Sequence, residues 1–321
     1  GYVNFKSKKK LLWMFCILAF VLSAIIDNLT ATIVLISILQ KIVKKREDRI
    51  WFAGLIIIAA NAGGAFSPIG DVTTTMLWIG DKVSTGMLFT YLFIPSLICM
   101  VVPAFLATFL PAFKGDIEFD ENEAEKPKNQ HSARMLYLGL GAILFVPVFK
   151  TVTHLPPYVG MMLSLAIVAT FAEIYSKAKF SVSTLEGGEA DADSSGAHHS
   201  PIHSALSKIE MPSILFFLGI LMAVAALESL GILFNFAESL KQGIPLMGSE
   251  LAGTGVSDLV VILLGIGSAI IDNVPLVAAS LGMFSEGLDD PLWHFIAFSA
   301  GTGGSMLIIG SAAGVVAMGM E

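Results

Sequence analysis

Long apolar segments alternate with short polar interruptions along this chain, and the polar interruptions resemble one another in pairs. The first apolar segment, 11–43, is too long for one upright membrane helix, which needs roughly 20 residues. Asp27 and Asn28 divide it into halves that are each too short to cross a membrane. We therefore predict a helical hairpin that re-enters the membrane with these two polar residues at its tip. A single kinked span is the alternative.

The polar tip of this segment occurs twice in the chain. The six residues Ser-Ala-Ile-Ile-Asp-Asn stand at 23–28 and again at 268–273, inside a second apolar segment, 259–284. Ionisable groups at membrane depth are rare because each costs a few kcal/mol, about 2.5–3.5 on insertion scales, and they commonly mark ion or substrate pathways. The repeat therefore predicts a duplicated transport site at the tips of two hairpins.

The flanking charges predict that the two hairpins enter from opposite membrane faces. Lysines and an arginine flank the first hairpin on both sides, at 6–10 and 41–46, and basic flanks favour the cytoplasm. The second hairpin has acidic flanks without Lys or Arg, which suits entry from outside. Five predicted crossings lie between the hairpins, and an odd number agrees with this inversion: 50–80, 87–113, 135–149, 157–175 and 212–236.

Each hairpin is followed by a span that glycine residues interrupt. Gly63-Gly64 and Gly70 lie within the span 50–80, and Gly303-Gly304 and Gly310 lie at matching positions of the span 292–320. Glycine pairs, and Pro68 in the first copy, interrupt helical hydrogen bonding, so we predict two broken helices. A hairpin followed by a broken helix, twice and in opposite orientation, is typical of inverted-repeat secondary transporters.

The predicted fold is an all-α membrane protein with inverted structural repeats. The first repeat covers 1–113, an acidic cytoplasmic linker covers 114–134, and the second repeat covers 135–321. The composition agrees with this class, since 55% of the 321 residues are hydrophobic, 14% are charged and the mean hydropathy is +0.78. The expected surroundings are therefore a lipid bilayer, and the prediction includes no nucleic-acid partner.

Side-chain oxygens cluster at the polar interruptions, and oxygen is the ligand that a dehydrated sodium ion requires. Burial and nearby like charge both disfavour ionised carboxylates, so protons and cations are expected to compete for them and transport to slow at acid pH. Asp71 is the strongest candidate because Pro68 and Gly70 open the helix beside it. Glu228 is a further candidate, although a carboxylate hydrated near the outer end of a span is almost equally consistent with its position. The candidate residues are Asp27, Asn28, Asn61, Ser67, Asp71, Thr73, Glu228, Asp272, Asn273, Ser305 and Ser311.

At these residues the sequence resembles the NhaD-type sodium/proton antiporters of the ion transporter superfamily. The matching stretches include SAIIDNLTATIV (23–34), NAGGAFSPIGDVTTTMLW (61–78), SAIIDNVPLVAA (268–279) and AGTGGSMLIIGSAAGVVAMGME (300–321). The resemblance implies exchange of Na⁺ or Li⁺ for H⁺, no bound cofactor, and a homodimer in a bacterial inner membrane or an organelle envelope. It also implies a chain that is truncated at both ends. The residues it assigns to Na⁺ are Asp27, Asn28, Asp71, Thr73, Asp272 and Asn273, with Ser305, Ser311 and, less securely, Glu228 in the site.

Three other functions stay open at this point. A carrier for arsenite or a dicarboxylate belongs to the same superfamily, but an anion site is expected to use Lys, Arg or helix amino ends, and neither motif contains Lys or Arg. An intramembrane aspartyl protease is the alternative among enzymes, yet an aspartyl dyad does not explain a repeat at Asp272. A passive channel commonly uses symmetric rings of subunits. We therefore predict a transporter and not an enzyme.

Overall fold

The computed structural model describes residues 7–115, 130–153, 155, 157–186, 211–243 and 256–321. These residues form helices and loops, and no strand occurs among them. The larger of two compact units contains 1–123 and 219–321, and the smaller one contains 124–218. Of the predicted linker 114–134, residues 116–129 lie outside the described residues.

Both predicted hairpin segments are helical on either side of their polar tips. Helices α1 (Lys8–Ile25) and α2 (Asn28–Ile42) form the first pair, and Asp27 caps the start of α2. Helices α10 (Asp258–Ile271) and α11 (Asn273–Met283) form the second pair, with Asp272 in the cap position. Because Asp and Asn both favour helix starts, a second arm begins at each tip.

Helices are also interrupted at the two glycine-rich stretches. In the first, α3 (Arg46–Gly64) ends and α4 (Val72–Ile79) begins after Asp71. In the second, α12 (Pro291–Gly303) ends and α13 (Ala312–Met320) begins after Ser311. Asp71 and Ser311 have closely similar backbone angles, with φ of −147° and −146° and ψ of 147° and 149°.

The remaining helices connect these two halves of the chain. Helix α5 (Thr85–Ala107) follows α4, and the smaller unit contains α6 (Gln130–Thr153) and α7 (Pro157–Glu186). The segment 212–236, predicted as one span, is divided into α8 (Met211–Ser229) and α9 (Ile232–Gly243). The chain bends there by 74°, and Gly231 adopts a positive φ of 69°, which glycine tolerates best.

The helices of the larger unit pack in a reciprocal pattern. Each first arm packs on the helix that precedes the break in its own half, α1 on α3 and α10 on α12. Each second arm packs on the helix that follows the break in the other half, α2 on α13 and α11 on α4. The two halves of the chain are therefore interlocked around the polar tips and breaks.

Two glycines allow the tightest of these helix contacts. An added Cβ at Gly63 would overlap the backbone carbonyl of Phe20, and an added Cβ at Gly303 would overlap the carbonyl of Gly265. Gly63 and Gly303 therefore hold α3 against α1 and α12 against α10 at backbone distance, which brings each break next to its hairpin.

Polar contacts join different segments at the two ends of this helix bundle. At one end, Lys8 pairs with Asp48 at 2.6 Å, and the buried Glu321 accepts two hydrogen bonds from Arg49 Nε. At the other end, Lys82 Nζ donates to the Glu286 carbonyl at 2.9 Å and the Ser84 amide donates to Asp289 at 2.7 Å. The start of the first hairpin lies at the first end, and the exit of the second hairpin lies at the other.

Within the described residues, α5 is the one continuous helix long and apolar enough to cross a membrane, and only 28% of its most apolar stretch is buried. The bent pair Met222–Ser229 and Ile232–Ser239 would be a second span if it crosses as one element. Three of the four hairpin arms, α2, α10 and α11, are shorter apolar helices, and α1 has 18 residues but begins with three lysines.

Candidate functional site

Asp71 lies at the centre of a buried polar network and is only 2% exposed. Its Oδ1 accepts a hydrogen bond from the Thr73 backbone amide at 3.1 Å, which caps α4. Its Oδ2 accepts hydrogen bonds from the side-chain amides of Asn28 at 3.1 Å and Asn273 at 3.2 Å. Both hairpin tips and the first break therefore meet at one carboxyl group.

Asn61 extends this network to the second break. Its Oδ1 accepts a hydrogen bond from the Asn28 side chain at 3.0 Å. Its Nδ2 donates to Ser305 Oγ at 2.9 Å and Ser311 Oγ at 3.1 Å. A continuous set of hydrogen bonds thus connects all four polar interruptions: Asn273 to Asp71, Asp71 to Asn28, Asn28 to Asn61, and Asn61 to the two serines.

Contacts between the two breaks are reciprocal. Asn61 contacts Ser305 and Ser311, and the matching residue Gly301 lies next to Ala65 and 3.7 Å, measured from its ideal Cβ position, from Asp71 Oδ2. Positions 61, 65 and 71 of the first half therefore contact the matching positions 301, 305 and 311 of the second half. The two sets of contacts differ in chemistry. Asn61 meets the hydroxyls of Ser305 and Ser311, whereas the Gly301 position meets Ala65 and the Asp71 carboxylate.

Several oxygen atoms around Asp71 receive no hydrogen bond from the described residues. Thr73 Oγ1 is buried without a partner. No hydrogen bond to Asn28 Oδ1 or Asn273 Oδ1 occurs in the described part of the chain, since both amides interact through Nδ2. Helices α1, α3, α10 and α12 also end at the tips and breaks, where cap and loop amides bond to some of the last carbonyls, among them Gly64 and Gly303, and the other carbonyls lack intrahelical donors. Such oxygens are the ligands that broken membrane helices offer to alkali cations.

Two serines hold the first arms of the hairpins to the helices before the breaks. Ser23 donates a hydrogen bond to the Ala60 carbonyl, and Ser268 donates to the matching carbonyl of Ala300 at 3.0 Å. Both serines are fully buried. Neither serine is among the residues predicted from the sequence, although each is the first residue of the repeated hexapeptide.

Four candidate residues lie outside the network. Among the described residues, Asp272 accepts a hydrogen bond from the adjacent Asn273 backbone amide alone, at 2.9 Å. Asp27 is bonded to Thr30 of its own helix. Ser67 is buried, and its hydroxyl accepts only a long hydrogen bond of 3.4 Å from the Ile69 amide. Glu228 is exposed and lies against Gly282, near the end of α11 that is far from the tip at Asp272.

Among the described residues, no group of three or more His, Cys, Asp or Glu side chains lies close enough to hold a metal ion. The donors gathered at Asp71 are amide, hydroxyl and carboxylate oxygens. Hard cations prefer such oxygens, whereas zinc and copper sites are commonly built from His and Cys.

The helical architecture, the interrupted apolar helices and the buried oxygen-rich network agree with an integral membrane protein of the transporter class. The family profile described as "Citrate transporter" (CitMHS) matches residues 3–294, and the chain belongs to this family.

The names of the curated relatives refer to sodium and protons and not to citrate. The chain is 42% identical to "Sodium/proton antiporter 1" of Arabidopsis thaliana over 99% of its own length and 52% of that protein. It is 39% identical to "Sodium/proton antiporter 2" of the same plant, over 99% of the chain and 71% of that protein. It is 35% identical to "Na(+)/H(+) antiporter NhaD" of Vibrio parahaemolyticus, over 97% of the chain and 73% of that protein. The chain therefore spans about half to three quarters of the length of these relatives.

Proposed function

We propose that this protein exchanges Na⁺ or Li⁺ for H⁺ across a membrane, with Asp71 at the centre of the shared site. The observation that carries the proposal is the convergence of Asn28 and Asn273, from two different hairpin tips, on one oxygen of Asp71. The names of the relatives support the choice of ions, since several are called sodium/proton antiporters.

The proposed chemistry is competition between a cation and a proton for one set of oxygens. An ionised Asp71 supplies the negative charge, and Thr73 and the two asparagine side chains supply neutral oxygens. A side-chain amide has an oxygen on one side and N–H donors on the other, so each asparagine can donate to Asp71 or offer its oxygen to a cation. A proton on Asp71 removes the charge that attracts the cation, and the two ions therefore exclude one another.

The proposed architecture is an inverted repeat with two re-entrant hairpins. The reciprocal packing of the hairpin arms supports it, as do the matching contacts of Asn61 and Gly301 across the two breaks. The polar contacts at the bundle ends also support entry from opposite faces. Lys8, which begins the first hairpin, lies at one end of the bundle, and Lys82, which bonds to the Glu286 carbonyl after the second hairpin, lies at the other end. In this arrangement Lys44 faces the cytoplasm and the exposed Ser285 faces the other side.

Labelling of single cysteines tests this topology in the full-length protein, in a background with Cys16 and Cys99 replaced by Ala. A membrane-impermeant maleimide should label Lys44→Cys from the cytoplasmic side only and Ser285→Cys from the opposite side only. Labelling of both positions from one face would exclude the inverted arrangement. We also propose a homodimer in a bacterial inner membrane or an organelle envelope, which crosslinking in the native membrane tests.

Transport by the full-length protein in everted vesicles tests the proposed activity. A pH-sensitive dye should report proton movement when NaCl or LiCl is added, and choline chloride should give none. Asp71→Asn should abolish the signal. Ser37→Ala is the matched control, because in the described part of the chain the Ser37 hydroxyl bonds to the Ile33 carbonyl alone, one turn earlier in α2. Proton movement that is independent of Na⁺, or unchanged in Asp71→Asn, would refute the proposal.

A carrier of citrate or another carboxylate is the second candidate, and the description of the family profile favours it. The network argues against it, because Asp71 would repel an anion and its donors are already bonded to Asp71 or to serine hydroxyls. Uptake of labelled citrate by the same vesicles distinguishes the two functions, and uptake that depends on Asp71 would favour the carrier.

A further inference from the structure

One buried hydroxyl in the first hairpin has no hydrogen-bond partner among the described residues. Thr32, on α2, is fully buried, and its Oγ1 neither donates nor accepts a hydrogen bond in the described part of the chain. Serine and threonine hydroxyls inside helices commonly bond to the carbonyl one turn earlier. Ser37 on the same helix does so, with the Ile33 carbonyl at 2.7 Å. The Thr32 hydroxyl is therefore an oxygen that the contacts of its own helix do not satisfy.

Thr32 lies on the same face of α2 as Asn28, a member of the polar network. Residues four apart in a helix are neighbours on one face, with Cβ atoms about 5–6 Å apart. Asn28 marks the direction of this face, because its side chain bonds to Asn61 on α3 and to Asp71 at the first break. Thr32 is therefore the residue of this face one helical turn beyond the network.

An apolar layer lies one further turn along the same face. Ile36 is fully buried in a cluster with Ala53 and Ile57 of α3 and Ala317 of α13. Helix α2 thus contacts α3 through its polar tip on one side of Thr32 and through this apolar layer on the other side. These two sets of contacts place Thr32 between the network and the layer.

The same face of α2 continues to one end of the bundle. Gln40, one turn after Ile36, donates a hydrogen bond to the Met320 carbonyl at 2.7 Å. This is the end at which Lys8 pairs with Asp48, and it faces the cytoplasm in the proposed topology. One helix face therefore runs from the network, past the Thr32 hydroxyl and the apolar layer, to the cytoplasmic end.

The second hairpin has no hydroxyl at the matching position. Val277 stands one turn after Asn273, as Thr32 stands one turn after Asn28, and it is also fully buried. Valine has the shape of threonine with a methyl group in place of the hydroxyl, so packing at this position does not require the oxygen. Buried polar groups without a partner are rare in native proteins, and each one calls for an explanation such as a functional role.

We propose that the Thr32 hydroxyl oxygen is a further ligand of the transported cation, on the cytoplasmic side of the Asp71 network. This assignment rests on the proposed cation exchange and adds a residue to it. A hydroxyl has lone pairs that suit a hard cation and no negative charge, so Thr32 binds Na⁺ or Li⁺ without competing with Asp71 for the proton. The apolar layer at Ile36 separates this position from the cytoplasmic end of the bundle.

Replacing Thr32 by valine in the full-length protein tests the assignment. The half-saturating Na⁺ concentration at a fixed pH should rise about two- to tenfold, as expected for the loss of one neutral polar contact, and Thr32→Ser should retain the wild-type value. The melting temperature of Thr32→Val should not fall, because the change removes an unpaired buried hydroxyl and keeps the shape of the side chain. Binding of ²²Na⁺ to the purified protein gives the same comparison without transport. Ser37→Ala, which removes a hydroxyl elsewhere on α2, is the matched control.

Alanine substitutions separate the loss of the oxygen from the loss of volume. Thr32→Ala and Val277→Ala both shorten a buried side chain at matching positions, but only the first removes an oxygen. Thr32→Ala should weaken ²²Na⁺ binding, and Val277→Ala should bind ²²Na⁺ as the wild-type protein does. Equal weakening by the two variants would show that packing beside the tips sets the affinity, and it would overturn the assignment.

The outcomes also separate this assignment from the proposed function. If the wild-type protein shows no Na⁺-dependent proton movement, the antiport proposal fails. If the wild-type protein is active and Thr32→Val binds Na⁺ as tightly, the assignment of Thr32 is overturned and the antiport proposal stands. A lower melting temperature of Thr32→Val with unchanged Na⁺ binding would likewise overturn it, because the hydroxyl would then have a structural role.

Discussion

Asn28 and Asn273 donate hydrogen bonds to the same atom, Oδ2 of Asp71, although one belongs to the first hairpin tip and the other to the second. The hydrogen bonds of this one carboxylate oxygen therefore depend on the positions of both tips. Any displacement of one hairpin changes the environment that the other hairpin meets, which is a physical basis for coupling between the halves of the chain.

Because the two asparagines share one acceptor, their effects should not be additive. We expect Asn28→Ala and Asn273→Ala each to raise the half-saturating Na⁺ concentration, and the double variant to differ from the summed free energies by about 0.5–3 kcal/mol. Transport assays on the full double-mutant cycle measure this coupling. Strict additivity would show that the two amides act independently.

Removing the Asn61 side chain should destabilise the protein. Asn61→Ala removes one acceptor and two donors at once and leaves the buried Ser311 hydroxyl without the amide that reaches it. An unsatisfied buried polar group costs about 1–3 kcal/mol, so the melting temperature in detergent should fall. Ser37→Ala should have little effect on it. An unchanged melting temperature in Asn61→Ala would contradict the role of Asn61 as a link between the breaks.

A methyl group should not be tolerated at the close helix contacts. Gly63→Ala and Gly303→Ala each place a Cβ where a backbone carbonyl of the neighbouring hairpin arm lies. We expect loss of folded protein, measured by size-exclusion chromatography after solubilisation. Gly54→Ala, on the same helix as Gly63, is the matched control because no atom lies within 4 Å of its added Cβ. That variant should be neutral or more stable by up to about 1 kcal/mol, since alanine favours helices.

Competition between the ions predicts a specific pH response. Lowering the pH should raise the half-saturating Na⁺ concentration, by at most about tenfold per pH unit for one shared proton, while the maximal rate stays constant. Initial rates over a range of Na⁺ concentrations at several pH values measure both quantities. A maximal rate that falls with unchanged half-saturation would indicate that protons act away from the Na⁺ site.

Much of the site could be anticipated from the sequence because the informative residues are polar groups in apolar segments. That criterion predicts Asn28, Asp71 and Asn273, and the structure brings these three residues together. That these contacts form an inverted repeat remains a proposal.

Other features depend on three-dimensional neighbours that the residue pattern does not specify. Ser67 stands in the same motif as Asp71, yet its hydroxyl points to its own loop. Glu228 is acidic and within an apolar run, yet it packs against the far end of α11. The bend at Gly231 depends on a backbone angle that no neighbouring residue type dictates.

The reciprocal contacts also have a meaning for the ancestry of the chain. In the proposed inverted repeat, residues 61, 65 and 71 meet residues 301, 305 and 311 in the manner of a two-fold dimer, where one patch on each partner contacts the same patch on the other. A single half encoded by an unduplicated gene could assemble in this way. Once fused, each half could acquire its own substitutions, and the matching positions 71 and 311, an aspartate in one half and a serine in the other, are a place where the two halves differ in chemistry.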